Sequence, residues 1–97
     1  MKPARLLVQA RQEIRDAAEY YERQAKGLGV DYVDEISAAV SDICKNPKRW
    51  PVIDAGVRRR LVRRFPYCLL YREDADDIVV LAVMHMSRHP LYWQGRK

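Results

Sequence analysis

The stretch from Phe65 to Ser87, FPYCLLYREDADDIVVLAVMHMS, restricts the fold of this chain more than any other. Two apolar runs, residues 67–71 and 78–86, flank the acidic segment Glu73-Asp74-Ala75-Asp76-Asp77. Both runs have strand length and are rich in Leu, Val, Ile and Tyr. The segment between them is short, so the runs pair as an antiparallel hairpin with a charged, solvated tip. Nearly every position of 78–84 is apolar. A strand with one wet face alternates instead, so the pattern predicts a strand covered on both faces. Helices of the same chain can cover one face, and the other needs a further cover.

The residues before the hairpin supply those helices. Residues 4–9 (ARLLVQ) form a short strand candidate. A helical period then runs over 10–26, with Ile14, Ala17, Ala18, Tyr21 and Ala25 on one stripe and Arg11, Arg15, Glu19, Glu22 and Arg23 facing water. Gly27 and Gly29 break it. A second helix spans about 30–45, with the stripe Tyr32, Val33, Ile36, Ala39, Val40 and Ile43, and Asn46-Pro47 ends it. The short break makes an antiparallel helical hairpin. Residues 47–56 (PKRWPVIDAG) read as a loop pinned by Trp50, and 57–64 (VRRRLVRR) as a strand. The tail from Arg88 to Lys97 follows, with Pro90 stopping any extension of the sheet. The order is β-α-α-β-β-β, an α+β domain over 1–97 with a helical hairpin packed on a small antiparallel sheet.

Charge narrows the function classes. A net charge of +5 and a pI near 9.5 favour acidic partners, either nucleic acid or an acidic protein segment. Arg58, Arg59, Arg60, Arg63 and Arg64 crowd the strand before the hairpin, and Arg88, His89, Arg96 and Lys97 form a second group. Three readings of the first cluster stand open: a solvated strand guarding a sheet edge, a seat for an acidic protein segment, or a phosphate contact. Cys44 and Cys68 stand far apart in apolar company and read as free thiols. No Cys/His spacing suggests a metal site, and nothing in the sequence calls for a cofactor. No apolar run approaches the roughly 20 residues of a membrane span, and no signal-peptide core follows Met1, which predicts a cytoplasmic protein.

The segments EIRDAAEYYERQAKGLGVDYVDEISAAVSDICKNP and VRRRLVRRFPYCLLYREDADDIVVLAVMHMSRHPLYWQGR, in this order, resemble the RelE/ParE superfamily of bacterial type II toxin–antitoxin toxins. The long helical hairpin and the PLYW tail look more like its ParE branch. The resemblance implies a toxin that inhibits DNA gyrase by binding, with no catalysis of its own, and that a cognate acidic antitoxin neutralises as a hetero-oligomer. The alternative on the same fold is a RelE-like endoribonuclease that cuts mRNA on the ribosome. A third class is a basic nucleic-acid-binding module, or a degenerate member, without toxicity.

RNA cleavage needs a base, an acid and a cation for the phosphorane. RelE-like toxins are said to use basic side chains on the sheet and a C-terminal tyrosine. The resemblance places one arginine position on Cys68 and another near Met86, and the tyrosine on Tyr92. Two positions thus lack the cation, which argues against cleavage. If cleavage occurs, the candidates are His85, Arg88 and Tyr92. For the gyrase reading, the target-binding candidates are Arg58, Arg60, Arg64, Arg88, Tyr92, Trp93 and Arg96. Of the adjacent Tyr92 and Trp93, an extended tail can pack only one and leaves the other free.

Overall fold

The computed structural model describes residues 1–89 and 91–96. Pro90, expected to stop the sheet, and Lys97 lie outside the described residues. The chain runs β1 (Ala4–Leu6), α1 (Val8–Gln24), α2 (Leu28–Lys45), β2 (Val52–Asp54), β3 (Val57–Leu61), β4 (Tyr67–Glu73) and β5 (Ile78–His85). The strands make one sheet in the order β1-β5-β4-β3-β2.

The α+β class and the hairpin on which it is built are as the sequence indicates, with two refinements. First, β1 pairs with β5 in parallel, Ala4 opposite Ile78 and Leu6 opposite Val80, so the sheet is mixed. Second, the loop over 47–56 contains the edge strand β2. Ala55 and Gly56 both take positive φ, 45° and 77°, the backbone that a tight two-residue hairpin turn requires. They fold Val52–Asp54 back against β3.

Strand β5 is buried from Ile78 to Met84. Ile78, Val80 and Val83 face a core shared with Ala10 and Ala17 of α1 and with Tyr32, Ile36, Ala39 and Ile43 of α2. Leu81, Ala82 and Met84 face a second core with Val57, Cys68, Leu70 and Trp93. The change of side comes from a bulge: Tyr71 pairs with Val80 and Leu70 with Ala82, which leaves Leu81 as the extra residue. A bulge inverts the facing of all residues beyond it.

The helical hairpin closes at its turn. The Glu22 carboxylate accepts the backbone N–H groups of Gly27 (2.9 Å) and Gly29 (3.0 Å), which satisfies free donors at the start of α2. A Cβ on Gly29 would stand 2.6 Å from the Ala18 carbonyl oxygen, so only glycine allows this approach of the helices. Within one to two helical turns of this point, Tyr21, Tyr32, Phe65 and Tyr67 form an aromatic cluster with centroid separations of 4.8–6.2 Å.

Candidate functional site

The tail supplies the second cover of the sheet. Trp93 is 5 % exposed and packs on the face opposite the helices, while Tyr92 beside it stays half-buried. The Tyr92 ring lies between two guanidinium groups, Arg96 at 4.7 Å and Arg88 at 5.6 Å from its centroid, within cation–π range. Arg96 in turn donates to both oxygens of Glu13 (2.8 and 3.1 Å) and to the Leu81 carbonyl (3.1 Å). Gln94 reaches Asp54 on β2 at 3.2 Å. The tail therefore crosses the sheet and is fastened at both sides.

Between α1, the end of β5 and this tail lies a groove of about 260 Å³, lined by Glu13, Asp16, Tyr20, Tyr67, Val83, His85, Arg88 and Tyr92 among others. His85, Arg88 and Tyr92, within eight residues of one another in sequence, thus line one groove. His85 Nδ1 accepts the Ser87 backbone N–H at 3.0 Å, which leaves Nε2 as its free nitrogen. Its ring stands edge-on to Tyr67 at 5.1 Å. Burial pushes the Tyr67 phenol up, aided by the neighbouring Tyr21, so it stays a neutral hydrogen-bonding group. The sequence reading missed Glu13, Asp16, Tyr20 and Tyr67 as groove residues. The spacing of Glu13, Asp16 and Tyr20 on one face of α1 was the available signal.

The remaining candidates lie elsewhere and in two settings. Arg58 donates to the carbonyls of Lys48 (3.1 Å) and Trp50 (2.6 Å). Arg60 is 8 % exposed, pairs with Asp42 of α2, donates to the Leu61 carbonyl and stacks on Trp50 at 5.2 Å. These two arginines hold the loop after α2 against β3. Arg64 is exposed, with Asp31 at 3.5 Å and the Phe65 ring at 5.5 Å. Arg59 and Arg63 make no ion pair among the described residues.

The groove holds one imidazole, one accessible guanidinium and several phenols, and of its two carboxylates Glu13 is paired with Arg96 while Asp16 is exposed. Cys68, at the position where the resemblance asks for arginine, is fully buried on the opposite face of the sheet. Burial pushes its thiol up to about 11, so it stays neutral. No group of three His, Cys, Asp or Glu fit to hold a metal occurs among the described residues. No helix is long and apolar enough to cross a membrane.

The sequence model of the family described as ParE toxin of type II toxin-antitoxin system, parDE, matches residues 4–90. The chain belongs to the ParE toxin family. A solved structure from the chromosomal ParDE TA system of P. aeruginosa is similar to this ParE toxin, with a TM-score of 0.75 and 18 % identity over 88 % of this chain and 96 % of that one. At that identity the likeness speaks for the fold: helical hairpin, mixed sheet and their order. No curated protein matches the sequence of this ParE toxin.

Proposed function

We propose that this ParE toxin inhibits DNA gyrase by binding and is held inactive by a cognate antitoxin in the cytoplasm. The observation that carries the reading is the family match over residues 4–90. In this reading the accessible candidates Arg64, Arg88 and Tyr92 meet the target. Arg58, Arg60, Trp93 and Arg96 serve that surface from behind, by fixing the loop after α2 and the tail. The antitoxin contributes an acidic segment with apolar anchors, suited to a chain of net charge +5.

The convergence of His85, Arg88 and Tyr92 on one groove favours a second reading, ribosome-dependent mRNA cleavage. One preparation run in two assays separates them. Gyrase inhibition predicts loss of supercoiling and accumulation of gyrase-dependent double-strand breaks, with ribosome-bound mRNA intact. Codon-specific mRNA cuts that disappear in His85→Ala or Tyr92→Phe, with gyrase unaffected, would replace the first reading by the second.

A further inference from the structure

The outer side of the helical hairpin, turned away from the sheet, carries a shallow groove between α1 and α2. Ala18, Glu19, Glu22, Gly29, Val30 and Val33 line it. Val30 is 62 % exposed and Val33 39 %. Single exposed valines are ordinary, but these two stand beside a floor of alanine and glycine on which a further helix can lie close.

The charges along this side are sorted by end. Arg11, Arg15, Ala18 and Glu22 fall on one stripe of α1, with Glu19 beside it. All four charged residues are exposed. The arginines occupy the half of α1 nearer its start and the carboxylates the half nearer the hairpin turn; Lys26 lies past the end of the helix. Arg15 donates to the neutral Gln12 at 3.1 Å, and Arg11, Arg15 and Glu19 make no ion pair among the described residues. Ala18 and Glu22 flank Gly29, which sets the middle of α1, at Ala17, about level with Val33 of α2.

We propose that this side seats a second copy of the same chain, the two hairpins packing antiparallel about a two-fold axis at the level of Ala17 and Val33. Such an interface is self-complementary, each contact occurring twice. Arg15 and Glu19 stand symmetrically about Ala17, about 6 Å apart along the helix, and Arg11 and Glu22 stand almost symmetrically further out. The rotation therefore sets Arg15 over Glu19 and Arg11 over Glu22 of the second copy, and Val33 on its own counterpart. A parallel arrangement would set like charge on like. An acidic antitoxin segment suits only the arginine half of the groove, because Glu19 and Glu22 repel it over the other half. The inference goes beyond the toxin–antitoxin reading, since it concerns the contact of this chain with itself.

The test is sedimentation equilibrium of the full-length protein, with circular dichroism to show that each variant is folded. A monomer–dimer equilibrium with a dissociation constant of about 10–100 μM is expected for so small an interface. Arg15→Glu and Glu19→Arg should each weaken it about tenfold, because each puts two like-charge contacts into the dimer. An equimolar mixture of these two variants should dimerise about as tightly as the native chain, since in the mixed pair Arg15→Glu faces Glu19→Arg and the unchanged Glu19 faces the unchanged Arg15. A charge effect within one helix cannot produce that rescue. Val33→Asp, at an exposed position, should leave the fold intact and abolish the dimer. A native protein that stays monomeric up to about 500 μM would overturn the proposal and leave the groove to the antitoxin. A dimer that survives Val33→Asp, or two charge variants that fail to rescue each other in the mixture, would overturn it by placing the contact elsewhere.

Discussion

Arg96 and Glu13 form a two-point ion pair, 2.8 and 3.1 Å, that ties the end of the chain to its first helix. Both side chains are largely withdrawn from water, 14 % and 16 % exposed. Removing one partner leaves the other charge buried and also frees the Val83 N–H and the Leu81 carbonyl. Glu13→Ala or Arg96→Ala should therefore destabilise the fold by about 3 kcal/mol. The double mutant should be less destabilised than the sum of the two, because no isolated charge remains. Urea unfolding of the four proteins gives this cycle. Strict additivity would show that the two residues do not act as a pair.

The basic cluster divides by the same measure, and the strand expected over 57–64 ends at Leu61, before Arg64, whose φ is 70°. Arg60 is 8 % exposed, whereas Arg64 stands in water. Arg60→Ala removes an ion pair to Asp42, a stack on Trp50 and a bond to the Leu61 carbonyl, and should cost about 2–3 kcal/mol. Arg64→Ala should change stability by less than about 0.5 kcal/mol. In a gyrase assay at a temperature where both variants are folded, Arg64→Ala should show the larger loss of inhibition. The reverse order would place Arg60 in the contact.

How much of this was legible in the sequence follows from which signals are local. The central hairpin and the two helices come from periodicity and side-chain size, which act over a few residues, whereas the expected split of the tail into one packed and one free aromatic does not hold: Tyr92 also packs beside the core that Trp93 enters. Strand β2 escaped because its Val52 and Ile53 remain exposed at the edge, so no burial pattern marks it. The parallel pairing of β1 escaped because a three-residue strand carries no direction in its composition. The bulge at Leu81 escaped because an entirely apolar strand reads the same in either facing. Arg60 looked solvated because its partner Asp42 stands on the preceding helix. The groove was hidden for a related reason: Glu13 and Asp16 resemble any wet helix face until the tail and β5 are set beside them.

The helix turn offers a steric test. A methyl group at position 29 would meet the Ala18 carbonyl oxygen at 2.6 Å, against backbone that cannot swing aside. Gly29→Ala should therefore push the helices apart and lower stability by about 1–3 kcal/mol, although alanine is the better helix former. Thermal unfolding measures it. An unchanged or higher melting temperature would mean that the hairpin relaxes freely at this point.

Acid should weaken the hairpin tip first. Hydrogen bonds from Lys48 (2.8 Å) and Lys2 (3.1 Å) hold the Glu73 carboxyl below its ordinary value of 4.5. A carboxylate whose folded pKa is depressed stabilises the fold fully above its unfolded value and loses that contribution as pH falls through the folded value. Stability measured from pH 6 downward should thus decline below about 4.5 in part through Glu73, and Glu73→Gln should flatten that decline. Salt at high concentration should flatten it too, since these side chains are near water. An identical acid limb in Glu73→Gln would assign the decline to other carboxyls.

Cys68 reports on the tail. It lies beneath Trp93, fully buried, and burial pushes its thiol up to about 11. Alkylation needs a thiolate in contact with reagent, so at pH 8 iodoacetamide should leave Cys68 unmodified over times that label the partly exposed Cys44. Trp93→Ala removes the cover and about 3–5 kcal/mol of packing. Each 1.4 kcal/mol lost from tail closure exposes the thiol about tenfold more often, so Cys68 labelling should rise more than about tenfold. Gly29→Ala, which weakens the fold at the distant helix turn, is the control. At denaturant concentrations that match the two variants in global stability, Trp93→Ala should still label Cys68 faster. Equal rates would mean that Cys68 is reached only by global unfolding and that the tail does not open as a separate unit.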